Sequence, residues 1–230
     1  MFEINQYSQI IKSEIGKLKN KIILKVFTDV KIREDGTKQR KCMGCNSIID
    51  ILNKLAEYAQ GKIEIEEFST EENTDLAKKF KIERIPTILF LDEHEGEVIR
   101  YIATPLGNEL LPFMKTLQYY SGTSAFYKDT VMTNLNKISK SSIKLFITNT
   151  CPYCPEVLPI LSLFAILSNG KITLEIIDVD ANQDMAMKYQ IQGVPHTVIN
   201  EKQPIYGVFT PQDLLDFLTK GKQDFGGMYA

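Results

Sequence analysis

The chain has 230 residues, 43% hydrophobic and 24% charged, with a formal net charge of −2. That length holds one large domain or two of about 110 residues, and the apolar content suffices for packed cores. The near-neutral balance excludes a general nucleic-acid or anionic-membrane binder, and no run reaches the ~18 apolar residues of a spanning helix.

Residues 2–20 lack the apolar core of a secretory signal. Ile4, Tyr7, Ile10, Ile11, Ile15 and Leu18 recur there at helical spacing, which predicts an amphipathic helix in a cytoplasmic protein. A strand over 22–28 follows, then a basic loop over 29–41 with Lys31, Arg33, Lys38, Arg40 and Lys41, and then Cys42-Met43-Gly44-Cys45. Next come a helix over 46–60, a strand over 62–68, a helix over 73–80, strands over 86–92 and 96–103, and a helix over 108–119. Glu93-His94-Glu95-Gly96 reads as the hairpin turn between the last two strands. The order then restarts: helix 125–139, strand 143–148, Cys151-Pro152-Tyr153-Cys154, helix 155–168, strand 171–178, helix 183–189, strands 195–200 and 204–209, helix 211–220. Thr210-Pro211 is a cap followed by proline in the first turn, and residues 221–230 read as a frayed tail.

The restart is a duplication. Residues 73–86 and 182–195 share six identical positions at an offset of 109 residues, the same offset that separates the two Cys-x-x-Cys motifs and the prolines Pro86 and Pro195. Tyr120-Ser121-Gly122-Thr123 is the natural break, dividing the chain into domains 1–120 and 121–230 that pack together across a short connection.

The four cysteines are the only ones in the chain, and in a reducing compartment paired thiols are more often catalytic or metal-binding than structural. At a helix N-terminus the first thiol meets unpaired backbone N–H groups and the positive end of the helix dipole, which favour the thiolate. Cys42 and Cys151 are therefore the expected nucleophiles. Cys45 and Cys154, one turn on, are expected to resolve the mixed disulfide. The motifs differ: Pro152 suits a stiff first turn, whereas Gly44 is a poor helix former that loosens the first site. The Cys151/Cys154 pair is expected to carry most of the activity.

With these motifs the chain resembles the two-domain protein disulfide oxidoreductases of archaea and thermophilic bacteria, glutaredoxin-like proteins built from two fused thioredoxin folds. Cys-Pro-Tyr-Cys matches the glutaredoxin-type motif, and Ile85-Pro86 and Val194-Pro195 match the family's cis-proline. The segment 100–107 resembles the end of such an N-terminal domain. The long loop at 29–41 departs from the family. The resemblance implies an α/β fold of two tandem thioredoxin-fold domains, each a mixed sheet flanked by helices. It assigns Ile85, Pro86, Val194 and Pro195 to substrate positioning. It implies protein disulfides as substrates and a thioredoxin reductase as electron donor, with redox-active disulfides in place of any cofactor or metal. Thioredoxins also place a buried acid on the strand before the motif, six residues ahead of the first cysteine; here Leu145 stands there. Glu66 and Glu175, related by the same offset, are the substitutes considered for a proton relay. Glu175 lies between Leu174 and Ile176, a setting that raises a carboxyl pKa; an edge-exposed strand glutamate is the alternative. His196 beside Pro195 would tune the thiolate or touch substrate, or else be a solvated strand residue. Tyr153 is expected at a contact surface and His94 in an exposed turn. Against the enzyme stand a metal protein using the cysteine pairs, whose spacing does not fit a zinc ribbon, and a non-catalytic thioredoxin-like binding module.

Overall fold

Two strand–helix–strand units meet edge to edge in one eight-stranded sheet. The computed structural model describes residues 8–220; the start of the helix expected over 2–20 and the tail over 221–230 lie outside them. The first unit runs α1 (Ser8–Ile15), β1 (Ile22–Thr28), a small hairpin of β2 (Lys31–Ile32) and β3 (Lys38–Gln39), α2 (Cys45–Tyr58), β4 (Ile63–Ser69), α3 (Thr74–Lys79), β5 (Thr87–Leu91), β6 (Glu97–Ile102), a 3-10 turn (Gly107–Glu109) and α4 (Leu110–Tyr120). The second runs α5 (Lys128–Asn134), β7 (Ser141–Ile147), α6 (Cys154–Leu167), β8 (Ile172–Asp178), α7 (Gln183–Lys188), β9 (His196–Ile199), β10 (Gln203–Tyr206) and α8 (Pro211–Thr219). The expected elements are present, with ends shifted by a few residues. The hairpin inside the basic loop was not anticipated.

The strand order is β10-β9-β7-β8-β6-β5-β1-β4. Within each unit the strand before the motif pairs in parallel with the strand after the motif helix, β1 with β4 and β7 with β8. The units join through β6 and β8, also parallel, with Ile99 opposite Leu174 and Tyr101 opposite Ile176.

Alternation along the strands decides what faces the cysteines. Leu24 and Val26 of β1, Leu145 and Ile147 of β7, and Leu174 and Ile176 of β8 bury one face of the sheet under α1, α2, α4 and α6 in a single core that spans both units. The other face holds two smaller clusters. Phe27 and Leu89 pack under Ala77 and Phe80, and Phe146, Ile177 and Val198 pack under Met185 and Tyr189. α4 lies against α6, and the buried Thr116 hydroxyl donates to Ser162 at 2.9 Å between them. Arg84 reaches from the first unit to Asp184 and Asn182, and the Asn182 amide donates to the carbonyl of Ile102. The Thr210 cap forms a full capping box with Asp213, closing the start of α8. In the 93–96 turn, Asp92 accepts from the backbone N–H groups of His94 and Gly96.

Candidate active site

Each motif stands where a central strand hands over to a long helix on the main core face. Cys42 is joined to Cys45 and Cys151 to Cys154 by disulfides, with Cα–Cα distances of 5.5 and 5.6 Å. The second cysteine of each pair is fully buried at the first position of its helix, Cys45 in α2 and Cys154 in α6. The Ile85-Pro86 and Val194-Pro195 bonds are both cis.

The second motif is the more tightly held. The backbone N–H of Cys154 points at Cys151 Sγ at 3.1 Å, and that sulfur lies 3.6 Å from the carbonyl oxygen of Val194. A helix N-terminal donor is therefore aimed at Cys151 Sγ, beside the cis-proline loop. In the first motif the Cys45 N–H is spent on the Cys42 carbonyl at 3.3 Å. Cys151 is 5% exposed, whereas Cys42 is half-buried. The residues between the cysteines face solvent, Met43 at 91% and Tyr153 at 59%.

The expectation that Gly44 loosens the first helix is corrected. Gly44 precedes α2 as its N-cap, with φ +88°, a left-handed conformation that glycine adopts without strain. A Cβ there would come within 3.3 Å of Thr104 Oγ1 and 3.8 Å of Pro86. Pro152 likewise lies ahead of α6, whose first turn holds Pro155 instead.

The basic loop at the first site is largely neutralised. Arg40 donates from Nε and Nη2 to the two carboxylate oxygens of Glu67, which also accepts from Thr28 at 2.7 Å and Lys38 at 3.2 Å. Burial works against the charge of Glu67, but the Arg40 and Thr28 bonds outweigh it and hold its carboxyl below the usual range. Arg40 is thus committed to Glu67 rather than free to act on Cys42. Asp29 accepts the Lys41 N–H on both oxygens, at 3.2 and 3.0 Å. Its carboxylate and the sulfurs of Cys42 and Cys45 lie within 4.8 Å of one another, a set able to hold a metal ion by its donor types when the thiols are free.

The proton-relay expectation fails on strand geometry. Glu66 stands opposite Lys25 and ion-pairs with it at 2.7 Å, and Glu175 stands opposite Lys144 and ion-pairs with it at 2.5 Å. By two-residue alternation both project to the α3/α7 side of the sheet, away from the cysteine helices. Glu175 sits against a lysine, not in an apolar setting. His196 is also on that side. It is 4% exposed, with its ring packed edge-on to Tyr206 and Phe146 at 4.8 and 6.2 Å, and burial lowers its pKa. It is neither solvated nor placed at the second dithiol.

Two buried acids outside the repeated glutamates, Asp178 and Glu109, lie beside the segment that leads into the second motif. Asp178 pairs with Ile147 at the end of β7 and therefore shares the cysteine face. Burial raises its pKa, and the Asn149 amide approaches it at 3.4 Å. Glu109, fully buried at the start of α4, comes from the other unit. The run from Thr104 to Asn108 touches both motifs. Thr104 lies against Gly44, Asn108 N–H donates to the Asn149 carbonyl at 3.0 Å, and the Asn108 amide donates to the carbonyls of Thr150 and Cys151 at 3.2 Å each.

A doubled mixed sheet with a Cys-x-x-Cys pair at each strand-to-helix junction, each pair in a unit with its own cis-proline, defines a tandem thioredoxin-fold oxidoreductase. Comparison with known proteins agrees. Family models described as "Thioredoxin" and "Thioredoxin domain" match residues 39–116 and 141–219. A probable thioredoxin of Archaeoglobus fulgidus is 34% identical over 87 residues, 36% of this chain and 94% of that protein. A Bacillus subtilis NADH dehydrogenase is 25% identical over 95% of this chain, which spans 37% of its length. The crystal structure of a protein disulfide oxidoreductase from Aeropyrum pernix superposes with a TM-score of 0.79 at 21% identity, covering 99% of this chain and 98% of that one. The N-terminal domain of the alkylhydroperoxide reductase AhpF from Enterococcus faecalis gives 0.78 at 20% identity, covering 95% and 100%. The chain belongs to the thioredoxin family. Its two dithiol motifs make it a thiol–disulfide oxidoreductase.

Proposed function

We propose that the two halves, 1–120 and 121–230, are separate catalytic domains and that the second performs most of the dithiol exchange with protein disulfides. The observation that carries this reading is the Cys154 N–H held 3.1 Å from Cys151 Sγ, which has no counterpart at Cys42. In the dithiol form that N–H stabilises the Cys151 thiolate. The thiolate attacks a substrate disulfide, one substrate sulfur departs as thiolate, and a mixed disulfide forms on Cys151. Cys154 then attacks Cys151 Sγ, expels the second substrate sulfur and closes the enzyme disulfide. Two electrons pass from the dithiol to the substrate. Run backwards, the same steps oxidise a substrate dithiol.

Ile85, Pro86, Val194 and Pro195 present backbone groups for an extended substrate strand, and the exposed Tyr153 and Met43 add contact surface from within the motifs. The cysteines act without a further cofactor, in the cytoplasm, and a reductase of the thioredoxin reductase class returns them to the dithiol state. No helix among the described residues is long and apolar enough to cross a membrane.

Insulin reduction by single-site variants tests the assignment. Cys151→Ser is expected to remove nearly all turnover, and Cys42→Ser to cost at most a few-fold. Loss of activity in Cys42→Ser with turnover kept in Cys151→Ser would sink it.

A further inference from the structure

The inserted hairpin at the first motif folds the chain back on itself. β2 and β3 pair antiparallel, with Lys31 opposite Gln39 and Ile32 opposite Lys38, so Asp29 and Lys41 meet at the hairpin's base. There the Lys41 N–H donates to both carboxylate oxygens of Asp29, at 3.2 and 3.0 Å. Lys41 precedes Cys42, so this closure brings the Asp29 carboxylate to the dithiol. A carboxylate oxygen of Asp29 and the sulfurs of Cys42 and Cys45 all lie within 4.8 Å of one another. Asp29 and Cys42 are half-buried and Cys45 is buried, so the set is reachable from solvent without being fully exposed.

The cations of the hairpin are committed elsewhere. Arg40 and Lys38 are bonded to Glu67, Lys31 pairs with Glu71 at 2.6 Å, and Arg33 donates to Gln39 at 3.1 and 2.8 Å. Among the described residues, Asp29 accepts a neutral backbone donor and forms no ion pair. Its negative charge is therefore left for a cation at the sulfurs. The second dithiol lacks such a set: among the described residues, no other three cysteine, histidine or carboxylate donors gather this closely.

Two thiolates and a carboxylate suit a borderline-soft divalent cation, zinc above all. We infer that the first dithiol, when reduced, is a zinc site, with Cys42 and Cys45 as thiolate ligands and Asp29 as the oxygen ligand. With zinc bonds of about 2.3 Å to sulfur and about 2.0–2.2 Å to oxygen, tetrahedral donors stand about 3.6–3.8 Å apart. The carboxylate therefore closes in by at most about 1 Å as the sulfurs part. Three protein ligands leave the fourth position to water, which keeps the ion exchangeable. Binding releases the two thiol protons. Oxidation empties the site. One zinc-bound thiolate attacks a disulfide and one sulfur of that disulfide leaves as thiolate. The other cysteine then displaces the second sulfur, the Cys42–Cys45 bond closes, and the zinc ion departs. Two electrons pass to the attacked disulfide, which becomes two thiolates. The hairpin thus makes the first motif a redox-gated zinc site. The ion takes no part in exchange at the second dithiol, and the inference does not depend on which dithiol turns over faster.

The test uses the full chain with the second motif silenced (Cys151→Ser, Cys154→Ser), reduced without oxygen and titrated with zinc chloride against a chromophoric chelator, and in parallel with cobalt chloride. One zinc ion per chain is expected, released when the dithiol is oxidised with 5,5′-dithiobis(2-nitrobenzoate). The cobalt form should show a thiolate charge-transfer band and the visible bands of a four-coordinate ion. Asp29→Asn keeps the shape and an oxygen for the Lys41 N–H, and is expected to weaken zinc binding at least ~10-fold. The mirror chain, with only the second dithiol (Cys42→Ser, Cys45→Ser), should also bind zinc at least ~10-fold more weakly. Unchanged affinity in Asp29→Asn overturns the inference, as do equal affinities of the two dithiols, a reduced chain that binds no zinc, and zinc retained after oxidation. Should Asp29→Asn fail to fold, the cobalt spectrum of Asp29→Glu decides. Bands shifted from the parent's put the carboxylate on the ion, and identical bands overturn it.

Discussion

The two dithiols sit at equivalent points of a duplicated fold, yet their surroundings handle charge in opposite ways. At the first, two acids, Glu67 and Asp29, are held by hydrogen-bond donors. Glu67 is clamped by Arg40, Lys38 and Thr28, and Asp29 holds the Lys41 N–H. At the second, Glu109 has no hydrogen-bond partner among the described residues, and Asp178 is bonded by the neutral Asn149 amide and the Asp180 N–H. Copying a fold copies its backbone trajectory, but not the electrostatic environment. One site is served by an inserted loop from its own unit, and the other by a turn from its neighbour.

This contrast predicts opposite pH signatures for stability. The largest effect is expected from Glu109. Its folded pKa lies above the unfolded value, so the folded state binds the proton more tightly. Stability is then lost as pH rises from about 4.5 to about 8, by up to ~1.4 kcal/mol per pH unit. Urea titrations across that range should show the slope in the native chain, and Glu109→Gln should remove it. Parallel curves for the two proteins would break the comparison at its stronger end.

Arg40→Ala comes next. It leaves Glu67, 5% exposed, without its main partner, and stripping one member of a buried pair costs about 3 kcal/mol. Glu67 has the opposite sign from Glu109. Its folded pKa is lowered, so its contribution is present above the unfolded carboxyl value and disappears as pH falls through the lowered one. The Arg40→Ala deficit should therefore shrink in acid, measured by denaturation at pH 7 and below pH 4. A deficit that stays constant would detach it from this ion pair.

Gly107→Ala is expected to cost about 2 kcal/mol, because residue 107 has φ +55° and a Cβ there would lie 2.6 Å from the Asn149 carbonyl oxygen. Its activity loss should fall on the second dithiol, measured with the first motif silenced. The smallest effect is at Gly44→Ala, about 1 kcal/mol for the left-handed backbone, with its activity loss confined to the first dithiol. If either glycine variant damaged both sites equally, the two centres would not be separable.

Much of this was legible before any coordinates. The 109-residue offset gave the repeat, and hydrophobic periodicity gave the strands and helices. The motif chemistry located the cysteines at helix starts. What escaped has identifiable causes. Glu66 and Glu175 repeat at the 109-residue offset, but repetition carries no information about the face of a strand. The alternation in Leu174-Glu175-Ile176 already placed Glu175 opposite the core side. The same count of two sets Asp178 on the core side with Leu174 and Ile176. Glu109 left no such trace. Its burial beside Asp178 depends on β6 pairing with β8 and on α4 lying against α6, contacts between units that no local pattern encodes. The hairpin within the basic loop has strands of two residues each, too short to carry a period.

The seam between β6 and β8 has a consequence for solubility. Two free-standing units would each leave two sheet margins open to water, and open margins invite strand addition by other chains. The seam hides one margin from each. Of the two that remain, β4 reads Ile-Glu-Ile-Glu-Glu-Phe-Ser and is studded with carboxylates, while β10 carries Pro204, which offers no N–H. A half chain cut at the short connection would uncover β6 or β8 as a new margin, with Val98, Ile99 and Tyr101 or Leu174 and Ile176 along it. Parted from each other, the halves would each offer that new margin to strand addition by other chains.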